Sequence, residues 1–373
     1  MRILKRYFSV FHTNLSKHAF KLKENQTIKS WQIHGYGDIT ELKLVASQLP
    51  VIRNPDDVLV KVSAASLNPI DFYMLSGYGR ALFQVQRNFE SEFPLTLGRD
   101  FSGTVIAKGH AVGDHINIGE EVYGFIPIHK QGSFSEMILA NKNHVSTSKT
   151  KTFRSHTECF IDLCYDDCLE RFVYFWKYSF KTKKGLRVLI LGASGGVGTV
   201  AVQLLKSQDC VVYGTCSTDA VPLVHNLGAD RVFDYKDPDF EKQVELEGRY
   251  HIILDGAKIG YQNIPQSWKH DTFITLNSPL LIYTDYYGIM GGLVLSLNHL
   301  LEANLSRYKN GSSVKWGFFV PSRIGFEFID KLICAEKIRP VIHKTFKFEE
   351  LPDAFKTLSD GHLRGKIVID FDE

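Results

Sequence analysis

Glycines at a fixed spacing follow an apolar segment near the middle of the chain. Residues 187–199 read Arg-Val-Leu-Ile-Leu-Gly-Ala-Ser-Gly-Gly-Val-Gly-Thr, with Ala193, Gly196 and Gly198 in an A-x-x-G-x-x-G pattern and Gly195 as an additional glycine. The apolar residues before this pattern predict a buried strand, and those after it predict a helix with one apolar face. A strand, a glycine turn and a helix in this order present backbone N–H groups and a helix N-terminus to a diphosphate. We therefore predict a dinucleotide site; the alternative is a glycine turn that binds nothing.

The residues after the second predicted strand distinguish between the two nicotinamide dinucleotides. An acidic residue at the end of that strand holds the ribose 2′-hydroxyl of NAD. Here the strand ends in Gly-Thr-Cys-Ser at 214–217, so Ser217, with Tyr235 and Lys236, could contact a 2′-phosphate instead. Asp219 argues against this assignment, and Ser217 as a helix cap with Tyr235 as a rim aromatic is the alternative. Taken together, these residues favour NADPH.

Metal ligands with a recognisable spacing are missing from the sequence. There is no C-x₂-C pair, and Cys159, Cys164 and Cys168 have no obvious fourth ligand nearby. His251 and His362 have no partner that spacing can identify. We predict that the thiols are structural or incidental and that no metal is bound. The chemistry would then be direct hydride transfer, with the protein orienting the acceptor.

Two polar residues of the first half are candidates for contacting an acceptor carbonyl. Asn68 and Tyr78 could hydrogen-bond its oxygen as negative charge develops there. Asn68 precedes Pro69 and could instead hold a turn, and Tyr78 could instead only pack. We expect Asp71 to hold its loop rather than act as an acid.

Composition excludes several classes of protein. The chain has 373 residues, a net charge of +3 and 44% hydrophobic residues, as expected for a globular protein of two domains. The charge is too small to indicate nucleic-acid binding. Apolar segments such as 289–297 fall short of the roughly 20 residues of a membrane span, so we predict no transmembrane span. Six cysteines without a framework of short spacings indicate reduced thiols.

Residues 1–27 differ from the rest of the chain. Basic and apolar residues alternate irregularly, and the first acidic residue is Glu24. This pattern is typical of an amphipathic mitochondrial transit segment; a disordered basic tail on a cytosolic protein is the alternative. The basic residues of the segment are Arg2, Lys5, Arg6, Lys17, Lys21 and Lys23.

Hydrophobic periodicity predicts two domains of different architecture. Short strands separated by glycine and proline indicate a barrel-like first domain. Strands at 187–192, 210–215, 231–233, 251–255 and 271–276, with helices between them, indicate a doubly wound parallel sheet of the α/β class. Two further strands, at 337–346 and 364–370, flank a helix at 349–359 and return to the first domain. The predicted segments are 1–27 (transit), 28–151 (first domain), 152–322 (nucleotide domain) and 323–373 (return to the first domain).

Several motifs resemble the medium-chain dehydrogenase/reductase superfamily, in its zinc-free quinone oxidoreductase branch. They are Ala-Ser-Leu-Asn-Pro-Ile-Asp at 65–71, Gly-Arg-Asp-Phe-Ser-Gly at 98–103, the glycine turn, Asn-Leu-Gly-Ala-Asp at 226–230, and the ending Lys-Ile-Arg-Pro at 337–340 with Gly-Lys-Ile-Val-Ile at 365–369. Arg99 stands where zinc-dependent members have a histidine ligand. The resemblance implies a GroES-like barrel beside a Rossmann domain. It also implies an NADPH-dependent mitochondrial quinone oxidoreductase of the matrix, or of the matrix face of the inner membrane, linked to ubiquinone biosynthesis.

The same resemblance implies a set of cofactor contacts, carried over position by position. They are Ser194, Gly196, Val197, Ser217, Tyr235, Leu276, Phe319, His362, Leu363 and Arg364. It further implies a small-molecule quinone or enone substrate, mitochondrial protein partners, and a homodimer formed through an edge strand at 318–320.

Two segments depart from the family pattern. Where the family continues into a small-residue helix beside the nicotinamide, residues 152–184 are rich in cysteine, aromatic residues and lysine. Residues 255–258 read Asp-Gly-Ala-Lys, whereas the family usually has Val-Gly-Gly after the aspartate region. A second interpretation therefore stays open: an NADPH-binding scaffold with little or no turnover that serves a protein partner.

Overall fold

The computed structural model describes residues 27–88, 91–147, 185–308, 311–317 and 323–372. These residues form two regions, each built on its own large sheet. The predicted transit segment, the divergent segment 152–184 and Phe319 lie outside the described residues, apart from Thr27, which begins the first strand.

The first region contains a seven-stranded sheet and a three-stranded sheet. Its strands are β1 (Thr27–Ile33), β2 (Lys43–Gln48), β3 (Asp57–Leu67), β4 (Leu95–Thr96), β5 (Asp100–Lys108), β6 (Glu121–Phe125), β7 (Met137–Asn141) and β8 (Val145–Thr147). Its helices are α1 (Pro69–Leu75) and α2 (Arg80–Gln86). Strand β3 is central, because it pairs antiparallel with both β5 and β7. Alternating apolar residues along β3 place Val58, Val60 and Val62 in the core between these strands.

The second region is a parallel sheet of six strands with helices around it. Its elements are β9 (Arg187–Leu191), α3 (Gly196–Ser207), β10 (Val211–Cys216), α4 (Val221–Asn226), β11 (Arg231–Asp234), α5 (Phe240–Leu246), β12 (Tyr250–Asp255), β13 (His270–Thr275), α6 (Leu280–Tyr308), β14 (Ser313–Trp316) and α7 (Arg323–Cys334). The strand order is β11-β10-β9-β12-β13-β14, and every neighbouring pair is parallel. The order reverses between β9 and β12, which is where such sheets bind ligands.

The end of the chain returns to the first sheet, as predicted. Strands β15 (Ile342–Lys347) and β16 (Lys366–Asp370) pair parallel with each other, on either side of helix α8 (Leu351–Asp360). Strand β16 then pairs antiparallel with β3. Helix α7 instead contributes Leu332 and Ile333 to the core of the parallel sheet. The exact domain limits stay a prediction.

The structure confirms the predicted fold class and corrects details of it. Strands β9 to β13 lie within a residue of their predicted limits, whereas β14, with only four residues, was missed and β15 begins at Ile342, five residues after its predicted start. The glycine turn is shorter than predicted, since α3 already begins at Gly196.

The expected absence of any segment long enough to cross a membrane needs correction. One helix, Leu280–Ser306, is long and apolar enough by length and composition alone, with a mean hydropathy of 1.3. Only continuous apolar runs were considered in the sequence, and Gly, Ser, Asn and His residues divide this helix into shorter runs. The helix is broken at Gly288, whose φ of 70° and ψ of 170° are not helical.

Candidate cofactor and acceptor sites

The glycine turn joins β9 to α3 and lies between the two neighbouring strands. Gly192 has φ +79°, and a Cβ there would lie 3.1 Å from the Cβ of Ala257, which follows β12. A Cβ at Gly198 would lie 2.2 Å from the carbonyl oxygen of Gly192. On the other side, the N–H of Ala193 donates to the carbonyl of Thr215 in β10, at 2.8 Å. The glycines therefore allow the turn to pack against both strands.

The N-terminus of α3 has the features of an anion site. The first N–H groups of a helix have no partner within the helix, and they carry a partial positive charge. The N-cap residue is Gly195, and no side chain caps the helix. A Cβ at Gly195 would meet only the Gly192 carbonyl oxygen, at 3.6 Å, so this side of the turn is open. The residues present therefore fit the diphosphate of a dinucleotide.

Three side chains meet at the end of β10, where the ribose-binding residue was predicted. Ser217 Oγ donates to Asp219 Oδ1 at 2.6 Å and accepts from Arg364 Nη2 at 2.7 Å. Arg364 also pairs with Asp219 Oδ2 at 2.7 Å. The Ser217 hydrogen bond and the Arg364 guanidinium lower the pKa of Asp219 to about 2. Asp219 argued against a 2′-phosphate, but Arg364 compensates its charge and places a cation beside Ser217.

Arg364 reaches this position because its loop pairs with the glycine turn. The N–H of Gly365 donates to the carbonyl of Ser194 at 3.0 Å, and Gly365 forms a parallel bridge with Gly195. Gly365 has φ +81°, and a Cβ there would lie 1.9 Å from the Val341 carbonyl oxygen, so only glycine fits. The predicted contacts Ser194 and Arg364, 170 residues apart in sequence, are thus brought together.

Of the remaining predicted cofactor residues, the structure describes Val197, Tyr235, Leu276, His362 and Leu363, whereas Phe319 lies outside the described residues. Tyr235 is 46% exposed, and its N–H donates to the carbonyl of Cys216 beside Ser217. Val197 and Leu276 pack against the core of the parallel sheet, while Leu363 packs against the core of the barrel. His362 is exposed with φ +55°.

Asn68 lies in a buried polar cluster formed by three strands of the barrel and the start of α1. Its Nδ2 donates to Asp100 Oδ2 at 3.0 Å and to the Ser66 carbonyl at 3.3 Å, and its Oδ1 accepts from Lys366 Nζ. Lys366 Nζ also lies 3.8 Å from Asp100 Oδ2, and Asp100 is fully buried. Both amide hydrogens of Asn68 are therefore engaged within the cluster.

Lys366 and Asp100 are the residues that sequence reasoning missed here. Both were part of quoted motifs, but neither was given a role. A signal was present, because Lys366 directly precedes three buried apolar residues of strand β16, Ile367, Val368 and Ile369. A lysine buried at the start of such a strand requires a partner.

Arg99 and Asp71 form a second buried pair, next to this cluster. Arg99 is 1% exposed and donates to the carbonyls of Pro127, Lys130 and Thr96 at 3.0–3.1 Å. Its Nε lies 3.7 Å from Asp71 Oδ1. Burial raises the pKa of Asp71 to about 6, although Arg99 opposes this shift. Burial also lowers the pKa of Arg99 to about 10, so the guanidinium stays charged at neutral pH.

Asp71 holds its loop, as the sequence predicts. It accepts from the N–H of Asn68 and from the N–H of Gly98, both at 2.9 Å. Within the described ranges, no group of three His, Cys, Asp or Glu residues could hold a metal ion. The guanidinium of Arg99 is a cation itself and donates to carbonyl groups, so this position does not fit a zinc ion.

Tyr78 belongs to a group of residues that joins the two regions. Its ring centroid lies 5.5 Å from that of Tyr73, whose Oη accepts from Lys258 Nζ at 2.8 Å. Lys258 follows Ala257, which contacts the glycine turn, so this hydrogen bond crosses from the parallel-sheet region to the barrel. Burial raises the pKa of Tyr78, and Tyr73 and Asp285 add to the shift. Tyr78 therefore stays a neutral O–H donor at physiological pH.

A cavity of about 760 Å³ opens elsewhere in the barrel, between β1, β4 and β7. Its polar lining includes Gln131, His129 and His144. None of its lining residues belongs to the glycine turn or to the cluster around Asn68. The cavity is therefore separate from the candidate sites.

Two protein-family models match the chain. One, described as the alcohol dehydrogenase GroES-like domain, matches residues 54–149. The other, described as zinc-binding dehydrogenase, matches residues 227–369. Together they cover most of the barrel and of the parallel-sheet region.

Curated relatives align with nearly the whole chain. The mitochondrial NAD(P)H oxidoreductase RTN4IP1 of Homo sapiens is 38% identical over 355 residues, covering 91% of this chain and 88% of the relative. The protein of the same name from Drosophila melanogaster is 36% identical over 371 residues, covering 93% and 87%. A trans-enoyl reductase of Aspergillus terreus is 27% identical over 370 residues, covering 93% and 97%.

Solved structures share the fold. A quinone oxidoreductase from Coxiella burnetii aligns with a TM-score of 0.72 and 24% identity, covering 93% of this chain and all of that one. An NAD-dependent alcohol dehydrogenase aligns with a TM-score of 0.73 and 19% identity, covering 92% and 100%. At these identities the likeness concerns the fold alone.

Proposed function

Because the chain belongs to the mitochondrial NAD(P)H oxidoreductases of the medium-chain dehydrogenase/reductase superfamily, we propose that it is a zinc-independent, NADPH-dependent reductase of a quinone or related conjugated carbonyl. The names of its relatives give its location as mitochondrial. The substrate class is supported by relatives named as a trans-enoyl reductase and, by fold, as a quinone oxidoreductase.

The preference for NADPH rests on one observation, the contact of Arg364 with both Ser217 and Asp219. In NAD-binding proteins, a carboxylate at the end of the second strand holds the ribose 2′-hydroxyl and repels a 2′-phosphate. In this chain the nearby carboxylate, Asp219, is already paired with Arg364. Ser217 and Arg364 are hydrogen-bond donors suited to a phosphate.

We assign the chain's own residues the tasks of binding and orientation. A bound NADPH supplies the hydride. The N-terminus of α3 holds the diphosphate, and Ser217 with Arg364 holds the 2′-phosphate. Tyr78 donates a hydrogen bond to the acceptor oxygen, where negative charge develops during reduction. Asn68, whose two amide hydrogens are already bonded, holds Lys366 and Asp100 in place and leaves the acceptor contact to Tyr78.

Zinc independence is supported by Arg99. Its charged side chain is bonded to three backbone carbonyls and paired with Asp71, which leaves no ligand for a metal at this position. In the proposed reaction the acceptor is oriented by hydrogen bonds.

A scaffold function is the second candidate, supported by the name of a relative. The Caenorhabditis elegans relative, 30% identical over 383 residues, is called reticulon-4-interacting protein 1, which indicates protein partners. The link to ubiquinone biosynthesis and the homodimer stay predictions.

Steady-state turnover separates the two candidates. NADPH and NADH oxidation would be measured against short-chain quinones and an enone, with cofactor binding followed in parallel by protein fluorescence. We expect turnover with NADPH preferred. Tight NADPH binding without turnover of any acceptor would instead establish the scaffold. If neither nucleotide binds, both candidates are wrong.

A further inference from the structure

The second half of α6, residues 289–308, turns large apolar side chains to solvent. Six of them, spaced as one helical face, are 44–75% exposed, and we call them the apolar ridge. The ridge consists of Met290, Leu293, Val294, Leu297, Leu301 and Leu305. At 1.5 Å per residue it extends for about 22 Å along the helix. Residues 289–301 contain no Asp, Glu, Lys or Arg.

The opposite face of the same helix, which packs on the protein, is made of small and polar residues. Gly292, Ser296 and Ala303 are buried, and half-buried His299 lies on the same face. A surface helix of a globular protein has the reverse arrangement, with its apolar stripe towards the core. The outward ridge therefore does not stabilise the folded monomer, and large exposed apolar patches mark interaction sites.

The helix is held so that it lies along the surface and does not cross a membrane. The chain turns sharply at Gly288, and a Cβ at Gly292 would lie 2.4 Å from the backbone nitrogen of Thr284. The side chain of Asn304 binds both the N–H and the carbonyl of Val314 in the edge strand β14, at 2.9 and 3.1 Å. The Asn304 contacts fix the C-terminal part of the helix to the parallel sheet, and the close approach at Gly292 packs it against the residues before the kink.

We propose that the apolar ridge docks on the surface of a lipid bilayer, with residues 289–308 lying in the plane of the membrane. A helix in this orientation inserts its apolar face by about 5–10 Å. Tyr286 and Tyr287, 80% and 62% exposed, precede the ridge, and such residues prefer the membrane–water interface.

A second copy of the chain fits the ridge less well. A stable protein interface takes about 20–30 residues from each partner, whereas the ridge with its exposed neighbours Tyr286, Tyr287 and Leu295 offers nine residues of one helix. The free edge of β14 also does not offer Val314 for pairing with a second sheet, because Asn304 occupies its backbone groups. A bilayer, by contrast, adapts its shape to a ridge.

Docking would bring the candidate acceptor site close to the lipid. Asp285, near the start of α6, accepts from the N–H groups of Gly79 and Ala81, directly after Tyr78. A lipophilic acceptor could then reach Tyr78 from the membrane. That consequence rests on the proposed function, whereas the docking itself does not.

Flotation of the full chain with phosphatidylcholine vesicles in 0.5 M salt tests the docking directly. High salt screens charge-based binding through the N-terminal segment but does not weaken apolar insertion, and the comparison with a ridge variant that keeps this segment isolates the contribution of the ridge. We expect the wild type to float and the triple variant Leu297→Gln, Leu301→Gln, Leu305→Gln to lose at least nine-tenths of its flotation. Glutamine is chosen because it keeps the helix propensity of leucine.

The matched control replaces two equally exposed apolar residues outside the ridge. Val51→Gln with Leu246→Gln removes side chains that are 68% and 75% exposed, and this variant should float like the wild type. Melting temperatures and NADPH binding check that all variants are folded. Undiminished flotation of the triple variant would overturn the proposal. So would a wild type that does not float, including one that forms a concentration-dependent dimer lost in the triple variant.

Discussion

The cofactor end and the acceptor end of the candidate site are built in different ways. At the cofactor end, the glycine turn follows a single strand, and the charged residues around it are partly exposed, with Asp219 at 65%. At the predicted acceptor end, Ser66, Asn68, Asp100 and Lys366 form a buried cluster, and Lys366 is 298 residues from Asn68 in sequence. The first end is a local motif, and the second is a product of strand pairing.

This difference has energetic consequences. An exposed pair can exchange its protein partner for water or for a ligand, so changing it should affect binding more than folding. A buried cluster cannot do so, and removing one member leaves another unpaired charge in the core. Variants at the two ends should therefore separate stability from cofactor affinity.

The largest effect is expected for Lys366→Met. Removing the ammonium leaves the buried carboxylate of Asp100 without its charged partner, which should lower the free energy of unfolding by about 3–5 kcal/mol. Urea denaturation measures this. Lys356→Met, which breaks an exposed pair with Asp353, is the matched control and should cost less than about 1 kcal/mol. Equal effects of both variants would contradict the comparison.

A pH-dependent effect of similar origin is expected at Asp71. Its folded pKa of about 6 lies above the ordinary aspartate pKa of 3.8, so the stability it contributes is complete only well below pH 3.8 and is lost as the pH rises through 6. At roughly 1.4 kcal/mol per unit of pKa shift, the unfolding free energy of the wild type should fall by about 2 kcal/mol relative to Asp71→Asn between pH 4 and pH 7. A difference that is constant with pH, or grows, would show that Asp71 is not held in this way.

A smaller effect should separate two glycines of the same turn. Gly198→Ala places a Cβ 2.2 Å from the Gly192 carbonyl oxygen and should cost about 1–3 kcal/mol of stability. Gly195→Ala meets only an ordinary contact at 3.6 Å, so its stability should change by less than about 0.5 kcal/mol. Its NADPH affinity should nevertheless fall, because the Cβ lies on the open side of the turn. If Gly195→Ala binds NADPH like the wild type, the phosphates do not approach this side.

The cofactor end could be predicted from the sequence because its determinants are local. The turn at Gly192–Gly198, the missing carboxylate at Ser217 and the strand limits all follow from periodicity and spacing within about 30 residues. The resemblance to a family then supplied Arg364, a contact that no spacing argument could have reached.

The acceptor end could be predicted only in part. Asn68 was identified as polar and near a turn, but its partners Asp100 and Lys366 depend on the pairing of β3 with β5 and with β16. Likewise, the outward orientation of the ridge in α6 depends on which face Asn304 fixes to β14. Composition shows that this helix is apolar, but it does not show which face is buried.

The cofactor preference is tested most directly by Arg364→Ala. We predict that this variant lowers kcat/KM for NADPH by about 10- to 100-fold, the value of a hydrogen bond to a charged group, and leaves kcat/KM for NADH within about twofold. Asp219→Asn is the matched control and should keep the preference for NADPH, because Arg364 remains beside Ser217. An equal loss with both nucleotides, or a wild type that prefers NADH, would contradict the assignment of Ser217 and Arg364 to the 2′-phosphate.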